Sequence, residues 1–208
     1  MLTIEEFTYF VKRRNIGMLI SKGEFEQAEQ EIKELEIESN LYQQDMYLLY
    51  VILYLSKKQE TKAELYVEKA LKETLVEVHS LKDISPSVIM QKYFSETEID
   101  LLLLYIYIKE LLGIEEISFL ECMISYISFH ITDEKLKNKK LAMALYLKAL
   151  LYKKHSLWQE CCDCCEEVIE AEIKNGTLAV LFQALKMEVE CFQYNVIVKK
   201  KIGGGRTP

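Results

Sequence analysis

The chain has 208 residues, of which 50% are hydrophobic and 28% charged, so it is long enough to bury a core and too apolar for a disordered chain. The formal net charge of -7 argues against nucleic-acid binding, which needs clustered Lys and Arg. The short basic runs Lys135–Lys140 and Lys199–Lys201 are interpreted as solvated helix ends or loops. With only 2 Pro and 7 Gly, the composition favours long helices over tight hairpins.

Helical periodicity dominates from the first residues onward, and no segment shows convincing strand alternation. Thr3 and Glu6 form a capping-box pattern before the first predicted helix, and Gly23 follows its end. A second capping-box pattern, Ser95 with Glu98, opens the most apolar predicted helix. The predicted helices are Thr3–Lys22, Glu24–Glu36, Gln43–Lys57, Thr61–Val78, Ser87–Tyr93, Ser95–Leu112, Glu115–Phe129, Lys139–Lys154, Leu157–Lys174 and Thr177–Val198. Residues Thr132–Asn138 are predicted to form a polar loop.

Neither a targeting segment nor a membrane span is predicted. Residues Met1–Lys12 lack the long apolar run of a signal peptide. The apolar run Ile99–Ile108 is shorter than the about 20 residues that cross a bilayer. We therefore expect a cytoplasmic protein without a membrane partner, whose 6 cysteines stay reduced.

A repeated pattern links the predicted helix pairs. Each of three inter-helix turns is followed by a small residue at the same offset, and these residues are Ala28, Ala63 and Cys161. Ala28 and Ala63 are 35 residues apart, close to the about 34 residues of a tetratricopeptide repeat. A small side chain lets two paired helices approach closely, which explains the pattern physically.

A weaker copy of the pattern includes Gly113 and Ser118, but its spacing is irregular. We predict an all-α fold, an irregular tetratricopeptide-like α-solenoid of about nine to ten helices. It is predicted to form one domain over residues 1–200, followed by a flexible tail at 201–208. An irregular helical bundle with chance matches is the alternative.

The degenerate repeats, followed by Tyr93–Glu98 leading into Leu101–Leu104, resemble the C-terminal domain of Rgg/MutR-like transcription regulators. This family is related to the PlcR group of peptide-sensing regulators. The resemblance implies a homodimer whose helical domain binds a short imported peptide on its concave face. DNA would be bound only through an N-terminal helix-turn-helix domain, which is not among these residues. Either this sequence lacks that domain or the natural protein has none.

The first helix of each repeat is expected to line the peptide groove with apolar pockets and a few charged anchors. The groove candidates are Arg13, Arg14, Asp45, Leu49, Ile52, Asp100, Tyr107, Tyr146, Leu150 and Lys153. The last predicted helix offers an apolar face for dimerisation, with Leu181, Leu185 and Phe192 as candidates.

The run Cys161–Cys165 contains four cysteines, but thiols on one helix fan apart instead of converging on a metal. We interpret them as small core residues and expect no metal or cofactor. Cys162, at the edge of that face, is the candidate for a redox-sensing thiol as an alternative. The three histidines do not form a catalytic pattern, and the sequence contains no phosphate-binding motif. An enzyme is therefore not expected.

The resemblance, together with the repeat pattern, implies the peptide-binding and dimerisation domain of a bacterial transcription regulator, here without its helix-turn-helix. The alternative is a tetratricopeptide-like scaffold that docks a protein partner without a signalling peptide.

Overall fold

The computed structural model describes residues 3–38, 43–74, 86–114, 116–175, 184–191 and 194. These residues form helices and their connections without a β-strand, so the predicted all-α class is confirmed. The helices are α1 (Ile4–Lys22), α2 (Phe25–Glu38), α3 (Gln43–Ser56), α4 (Glu60–Thr74), α5 (Pro86–Gln91), α6 (Glu96–Leu111), α7 (Ile117–His130), α8 (Glu134–Lys154) and α9 (Trp158–Asn175). Residues 184–191 are also helical, within the predicted last helix. The predicted tail at 201–208 lies outside the described residues.

The chain divides into two compact units, one of residues 1–84 and 94–115 and one of residues 85–93 and 116–208. In the first unit α1 packs on α2 and α3 on α4. Helix α3 also contacts α1, α2 and α6, and α4 contacts α6. In the second unit α8 packs on α9 and α7, and α5 packs on α7. The single domain predicted for residues 1–200 stays a prediction.

Four helices end in the same hydrogen-bonded turn. The central residues have positive φ angles of 79° at Gly23, 55° at Lys58, 80° at Gly113 and 60° at Ser156. The N–H of each central residue donates to the carbonyl three residues back, and the next N–H donates to the carbonyl five back. This is the Schellman motif, in which a left-handed residue ends the helix and turns the chain.

The small residues that follow three of these turns are buried as the packing argument requires. Ala28, Ala63 and Cys161 are each 0% exposed. The N–H of each donates to the carbonyl of the fourth residue back, so all three occupy the same position in their helices. The small side chains therefore lie inside the contacts of α2, α4 and α9.

The weaker copy of the pattern does not fit this position. After Gly113, α7 begins only at Ile117, so the register shifts by two residues relative to the other pairs. Leu120 makes the equivalent hydrogen bond, to the carbonyl of Glu116, and is fully buried, whereas Ser118 is exposed. The assignment of Ser118 as a small packing residue is therefore wrong.

The predicted polar loop Thr132–Asn138 is also wrong, because α8 begins at Glu134. Asp133 caps the helix, and its carboxylate accepts a hydrogen bond from the Leu136 N–H at 2.7 Å. The basic run of the first turns is accordingly helical, and Lys140 within it is 1% exposed instead of solvated.

A tyrosine cluster fills the contact of α3 with α4. The rings of Tyr50 and Tyr66 stack with centroids 4.4 Å apart, and those of Tyr54 and Tyr66 lie 5.4 Å apart. The Tyr54 hydroxyl donates to Glu29 Oε1 of α2 at 3.4 Å. Burial, and then the Glu29 carboxylate, raise the pKa of Tyr54 to about 12, so this phenol is neutral at physiological pH.

Candidate functional site

The ten predicted groove residues fall in both units. The first unit holds Arg13, Arg14, Asp45, Leu49, Ile52, Asp100 and Tyr107, and the second holds Tyr146, Leu150 and Lys153. Each set is described within its own unit.

In the first unit the groove candidates are only partly brought together. Arg13 Nε of α1 lies 3.9 Å from Asp45 Oδ2 of α3, and the Tyr9 hydroxyl donates to the same oxygen at 3.3 Å. Asp45 therefore links α1 to α3 within the unit. Arg14 is exposed, Ile52 is 40% exposed, and Asp100 and Tyr107 are half-buried. Leu49 is 5% exposed, so it belongs to the core and cannot offer a surface to a ligand.

In the second unit all three groove candidates line one cavity of about 190 Å³. Tyr146, Leu150 and Lys153 follow each other at helical spacing on one face of α8. The helical residues 184–191 supply the opposite wall with Lys186, Met187 and Glu190. We call this space the α8 cavity.

The charged residues of the α8 cavity are coupled. Lys153 Nζ lies 2.5 Å from Glu190 Oε2. The hydrogen bond and the charge of Lys153, with a smaller contribution from Lys186, lower the pKa of Glu190. The hydrogen bond to Glu190 in turn outweighs desolvation and raises the pKa of Lys153. At neutral pH the cavity thus presents a Lys153–Glu190 ion pair with Lys186 as an additional cation.

The size and lining of the α8 cavity decide what it can hold. About 190 Å³ exceeds the roughly 150 Å³ that admits benzene but falls below the roughly 300–1,000 Å³ of sites for whole drug-sized ligands. Leu150, Met187 and the Tyr146 ring provide apolar contacts, while the lysines suit a carboxylate. The arrangement fits one end of a longer ligand, such as a terminal side chain with its carboxylate.

Half of this lining is not predicted from the sequence. Residues 186–190 lie in the helix that is predicted to form the dimer interface. The spacing of their charged residues does not indicate that they line a groove. Among the dimer candidates, Leu185 is 39% exposed, whereas Leu181 and Phe192 lie outside the described residues. Val189 of the same helical stretch is 54% exposed. This stretch therefore carries cavity residues as well as exposed apolar residues.

The cysteines pack as small core residues. Cys161, Cys162, Cys164, Cys165 and Cys191 form one buried cluster with Ala149 and Met187. Cys191 Sγ lies 3.3 Å from Cys161 Sγ, and both thiols are fully buried. Cys162 is only 5% exposed, and burial, followed by nearby Cys191 and carboxylates, raises its pKa to about 11. Because the thiolate is the reactive form, this environment disfavours a redox-sensing role for Cys162.

No helix in the part of the chain that the structure describes combines the length and apolar character needed to cross a membrane.

No protein-family model matches the chain, and neither a curated protein nor a solved structure does so.

Proposed function

We propose that this chain is the peptide-binding and dimerisation domain of a bacterial transcription regulator, with one end of a short hydrophobic peptide held in the α8 cavity. The observation that carries the proposal is the convergence of Tyr146, Leu150 and Lys153 on one cavity. The repeat register in the sequence predicts the same three residues as groove-lining. The proposal also follows the resemblance to Rgg/MutR-like regulators, in which the DNA-binding domain would lie outside these residues.

The chemistry of the cavity favours a peptide C-terminus. Lys153 and Lys186 can take a terminal carboxylate, while Leu150 and Met187 contact the last side chain. Glu190 Oε2 lies 2.5 Å from Lys153 Nζ and fixes the position of this lysine before the ligand binds. Lys186 contributes less than Lys153 to the lowered pKa of Glu190. The peptide carboxylate would therefore approach the side of the cavity where Lys186 lies.

The position of the cavity suggests how binding could reach a dimer. Residues 184–191 contribute Lys186, Met187 and Glu190 to the cavity, and they also carry the exposed Leu185 and Val189. A peptide that binds one orientation of this helix more tightly shifts the population toward it. The exposed side would then pair with a second copy in a changed geometry.

A cytoplasmic location is part of the proposal. All six cysteines are thiols outside any disulfide, which is the usual state in a reducing compartment.

Calorimetry with hydrophobic peptides tests the proposal. Each peptide is compared with a free and with an amidated C-terminus. We expect the free carboxylate to bind about tenfold or more tightly, the effect of a hydrogen bond to a charged group. Lys186→Gln should remove most of that preference. Lys174→Gln, at an exposed lysine paired with Glu170 on α9, is the matched control and should leave it unchanged.

If no peptide in a broad library produces heat, the proposal is wrong. Binding that ignores amidation and survives Lys186→Gln would contradict the α8 cavity as the site and favour the scaffold alternative.

A further inference from the structure

We propose that Cys162 and Glu166 of α9, together with Glu188 of the helical residues 184–191, form a site for a divalent cation of the zinc class. One ligand atom from each of the three side chains lies within 4.8 Å of the others. Cys162 and Glu166 are one helical turn apart, so they point to the same side of α9. Glu188 completes the group from a second segment, which a single helix cannot do.

The local electrostatics favour a cation at this point. Neither Glu166 nor Glu188 forms an ion pair with another residue in the described part of the chain. The Cys162 thiol is 95% buried and makes no hydrogen bond with any described residue. The Glu166 and Glu188 carboxylates lie beside this thiol, so a thiolate here would be a third negative charge in a small space, which is unfavourable without a counter-ion. A divalent cation reverses that balance.

The donor atoms select the metal. Zinc binds cysteine sulfur and carboxylate oxygen in tetrahedral geometry, whereas magnesium and calcium prefer oxygen alone. Three protein ligands leave the fourth position for water. Binding replaces the S–H bond of Cys162 with an S–Zn bond and releases one proton to solvent, without any change of oxidation state.

The site is independent of the proposed peptide binding, but the two share a structural element. The metal would connect α9 to residues 184–191, which also carry the Lys186, Met187 and Glu190 wall of the α8 cavity. Metal binding is therefore expected to fix that wall relative to α9.

Zinc titration of the reduced, metal-free full chain against a chromophoric chelator tests the proposal, and cadmium provides a sulfur-to-metal absorption band. We expect one equivalent of zinc and an affinity that rises about tenfold per pH unit near neutrality, as release of one proton requires. Cys162→Ser should abolish the cadmium band, and Glu188→Gln should weaken zinc at least about tenfold. The matched controls are Glu167→Gln, an exposed carboxylate next to Glu166, and Cys164→Ser, a buried thiol of the same cluster.

Glu188→Gln changes a half-buried residue, and circular dichroism checks that each variant is folded. Failure of the folded wild-type chain to take up zinc would overturn the proposal. So would binding that is lost in Cys164→Ser yet retained in Glu188→Gln, because the buried thiols alone would then hold the metal.

Discussion

The ion pair between α4 and α6 allows a stability prediction with a defined magnitude. Lys109 is 5% exposed, its ammonium pairs with the Glu64 carboxylate, and Nζ lies 5.0 Å from the centre of the Tyr105 ring. Burial works to lower the pKa of Lys109, but Glu64 and Tyr105 outweigh it and raise the pKa, so the side chain is charged at neutral pH. Lys109→Met removes the cation with little change of length.

Breaking a buried pair by removing one partner costs about 3–5 kcal/mol, because the other charge is left uncompensated. The Glu64 side chain retains 21% exposure, so part of its charge stays solvated and the lower end applies. We therefore expect Lys109→Met to reduce the free energy of unfolding by about 3 kcal/mol. The double variant Lys109→Met/Glu64→Leu replaces both charges by apolar groups and should stay within about 1 kcal/mol of the wild type.

Urea unfolding at pH 7, followed by far-ultraviolet circular dichroism, measures both values, and an unchanged m-value confirms comparable unfolded states. Lys69→Met is the matched control, because Lys69 Nζ lies 4.8 Å from the Tyr66 ring but is exposed on α4. It should cost less than about 1 kcal/mol. A loss below about 1 kcal/mol for Lys109→Met, or a double variant as unstable as the single one, would refute the reasoning.

The turns, the helix contacts and the tyrosine cluster give further predictions, all measured by urea unfolding. Gly23→Ala should reduce the free energy of unfolding by roughly 1–2 kcal/mol, because Gly23 has a φ of 79°. Lys58 has a φ of 55°, so Lys58→Gly should be neutral or stabilising. A destabilising effect of Lys58→Gly would contradict this reasoning. Ala63→Leu should reduce the free energy of unfolding by about 1–3 kcal/mol, because the larger side chain overpacks the helix contact. Leu65→Ala, at a position that is 50% exposed, should reduce it by less than about 0.5 kcal/mol. Equal effects of the two variants would be inconsistent with a close contact at Ala63. The pKa of Tyr54 is about 12 in the folded chain and about 10 unfolded, so the unfolded state loses its proton first and stability should fall between these pH values. Tyr54→Phe should reduce that slope, and an unchanged slope would exclude Tyr54 as its source.

Local signals determined where most helices begin and end. Both capping-box patterns, Thr3 with Glu6 and Ser95 with Glu98, form as predicted, because each needs only residues within one turn. Gly23 ends α1 in the left-handed conformation that glycine adopts without a Cβ penalty. The start of α8 was missed because Asp133 caps it without an acidic or amide residue three positions later, where Leu136 stands.

Helical spacing in the sequence also placed Tyr146, Leu150 and Lys153 on one face of α8, but it could not show what they face. Lys153 meets Glu190 across 37 residues of chain, and Cys162 meets Glu188 from a second segment. Periodicity reveals which side of a helix is apolar, since it depends on a residue's own neighbours in sequence. The partner of that side is decided by the packing of whole helices, which only the tertiary structure contains.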